Sequence, residues 1–146
     1  MLIESIFQIL KNDPGVLAVI GNPRKDGSAG IYPLVAPSAT VMPYVVWQQV
    51  GAAHVISYDG VNRLQKATFQ FACYAASFLT SHKLAAAVKN ALNGILGDFT
   101  NGAVPPVFTR IEGAWLQTER DLIEEVPHGT IFADVVDYQF WFVDSE

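Results

Sequence analysis

Three prolines, Pro33, Pro37 and Pro43, interrupt the stretch Ile31–Val50 and bar a helix from it. Each lacks a backbone N–H and pushes the residue before it toward extended geometry. The stretch therefore reads as a short apolar strand start (Ile31, Tyr32), an extended loop, and a strand over Tyr44–Val50. Whatever fold the chain adopts must thread a sheet through this segment.

The flanking segments supply helices and further strands. Ile3, Ile6, Phe7 and Leu10 recur at i, i+3, i+4 and i+7, which predicts an amphipathic helix over Leu2–Lys11. With Glu4 early and no basic run, this start reads as a helix and not as a signal peptide. Asp13-Pro14 is a cap followed by a first-turn proline, so a second short helix is expected over Gly15–Ile20, stopped by Gly21. Asn22–Gly30 lacks the Gly-Lys-Ser/Thr ending of a phosphate loop and reads as a solvated loop. Ala67–Ala75 alternates, with Phe69, Phe71 and Cys73 on the core face. An Ala-rich helix is expected from Thr80 or Ser81 to Gly94 or Gly97, burying Leu84, Val88, Ala91, Leu92 and Ile95. Phe99–Pro106 reads as a turn and Val107–Leu116 as a strand. Ile131–Val143 is the clearest strand, with Val136, Tyr138, Phe140 and Phe142 facing one way and Asp137, Gln139 and Trp141 the other. The expectation is one α+β domain over residues 1–146: about four mainly antiparallel strands, two helices packed on one face, and a long hairpin extension.

Composition narrows the function classes. The chain has 146 residues, of which 51% are hydrophobic and 16% charged, leaving apolar surface for partners. No apolar run approaches the roughly 20 residues of a membrane helix. A net charge of -5 argues against broad affinity for a phosphate backbone. One cysteine excludes an internal disulfide framework, and Cys73 on an apolar strand face reads as a buried, inert thiol. His54, His82 and His128 are far apart and form no metal motif, so each reads as a surface or capping residue. Asp134 and Asp137, at i and i+3 in a strand, face opposite ways and read as solvated positions. No catalytic, cofactor-binding or metal-binding set is expected, and no enzyme.

The series from Leu2 to Val143 resembles the tail-completion (tail-terminator, head–tail joining) proteins of long-tailed bacteriophages. The residues that carry the resemblance are the Ile31-Tyr32-Pro33 turn, the proline-spaced loop, Pro43-Tyr44-Val45-Val46-Trp47, Phe69–Ala75, His82–Gly94 and the aromatic C-terminal strand. Gly30 departs from the pattern, in which a basic residue precedes the turn; Arg24 or Lys25 is the candidate substitute. The resemblance implies a structural virion protein at the neck end of the tail, assembled in the bacterial host cytoplasm. It implies a homo-oligomeric ring, typically a hexamer, between the tail-tube protein and the head connector, through which DNA passes. The alternatives are a small α+β ligand-binding or enzyme domain, with a cavity lined by Phe69, Phe71 and Tyr138, or another neck or tail-tube component. A helix-rich chain favours a connector adaptor; a sheet-rich one with a long hairpin favours a terminator or tube.

Two segments exceed the needs of a monomer core. Ala52–Leu64 carries Val55, Ile56 and Tyr58 beside Asp59-Gly60 and is either an extension packed on its own domain or an arm to a neighbouring subunit. Glu119–Glu125, with Glu119, Asp121, Glu124 and Glu125, is either a solvated loop or an acidic ring surface that repels DNA phosphate. Trp47 and Trp141 are candidate interface residues on the non-core strand faces, unless a loop or helix of the same chain covers them.

Overall fold

The computed structural model describes residues 2–21, 30–36, 42–57, 60–127 and 129–144; for 55–57, 60–62, 126 and 144 it describes the backbone only. The helices are α1 (Leu2–Asn12), α2 (Pro14–Ile20) and α3 (Phe78–Leu92). The strands are β1 (Ile31–Pro33), β2 (Tyr44–Ser57), β3 (Gly60–Ala75), β4 (Gly97–Thr100), β5 (Phe108–Val126) and β6 (Gly129–Asp144). They form one sheet in the order β1-β2-β3-β6-β5-β4, antiparallel except for the parallel pair β1–β2.

Local chemistry sets the element ends. Asp13 caps α2 by accepting from the Val16 N–H at 3.0 Å, and Pro14 occupies the first turn. Gly21 ends the helix at φ 90°, a backbone state that costs glycine least. Gly30, the departure noted in the sequence, sits at φ 74°, where a basic side chain would be strained, and its carbonyl accepts from the Val45 N–H at 2.8 Å. The proposed substitutes Arg24 and Lys25 lie outside the described residues, as do His128, Tyr58 and Asp59.

The core lies between the sheet and the helices. Phe69, Phe71, Tyr138 and Phe140 are fully buried on the helix-facing side of β3 and β6, against Leu84, Ala85, Val88 and Leu92 of α3. Their rings meet edge to face: Phe69–Phe140 at 5.8 Å and Phe71–Tyr138 at 6.5 Å between centroids. These side chains fill the space where the ligand-binding alternative requires a cavity. Leu2, Ile6 and Leu10 of α1 and Val16 and Ile20 of α2 close the same core.

Several expectations need correction. The sheet has six strands and not four, because Ile31–Pro33 pairs with β2 and Gly97–Thr100 pairs with β5. The supposed turn over Phe99–Pro106 thus begins inside a strand. There are three helices and not two: α1 and α3 pack on the sheet and α2 packs against them, and α3 starts earlier than Thr80 or Ser81, since Ser77 is its cap, accepting from the Thr80 N–H at 3.2 Å, while Ser81 is buried within the helix. β5 continues through Glu119–Glu125, so this segment is a strand paired with β6 and not a loop. The β2–β3 hairpin continues the ladder outward through Ala53↔Lys66, His54↔Gln65 and Ile56↔Val61.

Leu92 is wholly buried under the sheet. Leu92→Ala should cost about 2–5 kcal/mol in denaturant unfolding. A loss below about 1 kcal/mol would mean that this helix face contributes little to the core.

Candidate functional site

The uncovered sheet face carries an aromatic pair. Trp141 on β6 meets Trp115 on β5 edge to face at 6.0 Å, and its indole N–H donates to Gln139 Oε1 at 3.0 Å. Trp115 is 48% exposed, which leaves a large apolar ring in solvent. Gly113 makes room for it: a Cβ there would lie 2.4 Å from the Trp115 ring. Trp47, in contrast, lies on the helix-covered face. It is buried against Phe69 at 6.0 Å, and its indole N–H has no hydrogen-bond partner among the described residues. The expectation that Trp47 and Trp141 share a non-core face fails because Trp47 pairs with Phe71, a core-face residue, across β2–β3. Trp47 instead floors an apolar groove of about 350 Å³ beside α1, walled by Ile3, Phe7, Ile31 and Pro33. Of the hairpin residues, Val55 and Ile56 lie in β2, but their side chains are outside the described residues.

The acidic set does not form one surface. Glu119 and Asp121 project toward α3, whereas Glu124 lies on the other face beside Tyr44 and Tyr74. The alternation of β5 requires this split. On the helix side, α3 presents His82, Lys89 and Asn93 in a polar stripe along β5 and β6. Lys89 Nζ donates to Glu119 at 2.9 Å, and the Tyr138 hydroxyl donates to Asn93 Oδ1 at 2.7 Å. His82 lies between two carboxylates, with Nε2 2.8 Å from Asp121 and Nδ1 3.1 Å from Asp134. On the open face Asp137 accepts from Thr118 at 2.7 Å and from Arg120 at 3.2 Å.

Asp134 is fully buried, contrary to its reading as a solvated position. It faces Cys73 on one side and Asp121 on the other in the ladder β3-β6-β5. Burial, then the hydrogen bond and charge of Glu119, push its carboxyl up to about 7. Burial also raises Glu119, but the Lys89 hydrogen bond and charge outweigh it and leave Glu119 below the usual carboxylate range. Cys73 is buried as expected, and burial followed by the Asp134 charge raises its thiol far above the usual range.

Residues 4–105 match the family described as "Tail completion protein gp17". The chain belongs to the tail completion protein gp17 family. Among solved structures, a chain from "Virion of native gene transfer agent (GTA) particle" shares the fold, with a TM-score of 0.65 at 21% identity. That likeness covers 94% of this chain and 91% of the other. No curated protein matches. Membership makes this chain a structural component of the bacteriophage virion at its tail. The family match stops at Pro105, so the polar stripe's partners on β5 and β6, Glu119, Asp121, Asp134 and Tyr138, lie beyond it.

Sequence reasoning about this tail-completion chain missed Trp115, Lys89 and Arg120. Trp115 sits at the alternation expected of an outward residue and was readable. Lys89 and Arg120 gain their partners only through the sheet register, which local spacing does not carry.

The Asp134 shift fixes a pH dependence. Its ordinary value is 3.8, and its folded value is about 7. Folding therefore favours the protonated form, and the stability linked to it is lost as pH rises from about 4 to about 7. Glu119 runs the other way and loses stability only when pH falls through its depressed folded value. In thermal melts, Asp134→Asn should flatten the fall in Tm between about pH 4 and about pH 7. An unchanged slope would show that Asp134 titrates normally.

Proposed function

We propose that the protein is a ring-forming subunit that terminates the tail tube and joins it to the head connector. The observation that carries this reading is a bare strand edge at each side of the sheet. Beyond its short pairing with β1, Gln48–Ser57 of β2 has no outer strand partner among the described residues. Beyond β4, and a contact from the Gly94 N–H to Ala114, Trp115–Val126 of β5 has none either. Long unpaired edges invite pairing with another chain. Three successive antiparallel pairings separate β2 from β5, so the two strands run antiparallel. β5 of one subunit laid beside β2 of the next continues the same ladder. Such a contact joins two different patches, and repetition around a closing rotation gives a ring.

The sheet-rich architecture with its extended hairpin supports a terminator or tube role over a helix-rich adaptor. Six subunits are the number the family resemblance implies. The Ala52–Leu64 hairpin is the proposed arm to a neighbour or to the tail tube, and the Trp115–Trp141 pair is a second contact. Glu124 and Glu125 have no cationic partner among the described residues, and with the net charge of -5 they supply the repulsion that keeps DNA from sticking in the passage.

Two experiments test this. Paired cysteines drawn from Gln48–Ala53 and Gln117–Leu122 should, on oxidation in assembled particles, give a ladder of cross-linked multimers; buried Cys73 does not compete. Single-cysteine variants should give none, and a double-variant scan without any ladder would reject edge pairing. Shortening Ala52–Leu64 to a two-residue turn should leave the fold stable and abolish ring formation or tail joining. An unfolded product would assign the hairpin to the domain's own core, and normal infectious particles would make it dispensable.

A further inference from the structure

We propose that His82, Asp121 and Asp134 form a binding site for one divalent transition-metal ion of the zinc type. The three side chains come from α3, β5 and β6, and one donor atom from each lies within 4.8 Å of the other two. Asp121 and Asp134 are direct cross-strand partners on one face of the sheet. Two carboxylates in that position repel each other. Glu119, one alternation away on β5, adds a third carboxylate facing Asp134.

The second observation is the state of the buried groups. The Asp134 side chain is 0% exposed, and among the described residues no N–H or hydroxyl donates to either of its oxygens; the group it meets is a second carboxyl, Glu119. Among the described residues His82 Nε2 also has no hydrogen-bond partner, although it lies 2.8 Å from Asp121. The imidazole nitrogens therefore approach both carboxylates closely without aiming an N–H at either. Donors bound side by side to one ion, each about 2.0–2.2 Å from it, sit on the order of 3 Å apart. The 2.8 and 3.1 Å separations are of that size. A fully buried carboxylate without a donor is costly, and a cation is one of few groups that offset it.

The donor set selects the ion. One imidazole and two carboxylates suit zinc, cobalt or manganese; an all-oxygen set would suit calcium or magnesium. His82 and Asp121 are 37% and 50% exposed, which gives the ion a route in from solvent. Bound there, it clamps α3 onto the β5–β6 hairpin at the end where the β5 edge is bare. This reverses the expectation that no histidine is a ligand: the donors are remote in sequence and meet only through the strand register.

The test uses untagged full-length protein, stripped with chelator and titrated with Zn²⁺ and separately with Co²⁺. Calorimetry should give one ion per chain, and Zn²⁺ in hundredfold excess over its Kd should raise Tm by about 5 °C or more. Co²⁺ should give visible d–d absorption that Zn²⁺ displaces. Asp121→Asn, at a half-exposed position, and His82→Gln should each weaken binding at least tenfold while keeping the wild-type circular dichroism. Absence of stoichiometric binding overturns the proposal. So does binding that survives undiminished in both variants, since the ion would then sit elsewhere. If His82→Gln fails to fold, Asp121→Asn alone decides.

Discussion

The rest of the structure depends on the β3–β6 pairing and the aromatic layer it carries. Eleven registered residue pairs, from Gln65↔Phe142 to Ala75↔Phe132, hold the two strands at the centre of the sheet. Phe69, Phe71, Tyr138 and Phe140 alternate onto one face and are removed from water by α3. Side chains of this size each contribute about 1.5–3 kcal/mol on burial, so four on adjacent strands outweigh any single surface contact in the molecule. β2 and β5 then add to the outer sides of this pair, and their own outer edges are left for β1 and β4, which are too short to cover them.

That hierarchy explains how much was legible in the sequence. The core strands were readable because period-two alternation is strong where one face is buried: Phe69, Phe71, Cys73, Tyr138 and Phe140 all fall where the pattern puts them. The α2 cap was readable because Asp13-Pro14 is a local signal. β1 and β4 were not, because three- and four-residue strands have no periodicity of their own and exist only through pairing. The second half of β5 was hidden for another reason. Its charges look like a solvated loop, but Glu119 and Asp121 alternate toward the polar stripe of α3 while Arg120 alternates toward Asp137.

The polar stripe and the bare edges stand in a functional relation. α3 holds β5 by Lys89–Glu119, spans β5 and β6 by His82 between Asp121 and Asp134, and its C-cap Asn93 holds β6 through Tyr138. A partly exposed ion pair such as Lys89–Glu119 contributes little stability alone. The effect of these contacts is positional: they fix the orientation of a long strand whose outer side, beyond β4, has no strand neighbour among the described residues. Charged groups along that strand also discourage indiscriminate edge pairing, so that only a complementary partner edge is accepted. The family places this chain in a tail.

Amide hydrogen exchange on the free chain and on the assembled tail end tests the account most directly. β3 and β6 should be protected in both states. The outer-facing amides of Gln48–Ser57 and Trp115–Val126 should exchange fast in the free chain and gain protection together on assembly. Edges that are already protected in the free chain, or that stay unprotected in the assembled tail, would contradict it.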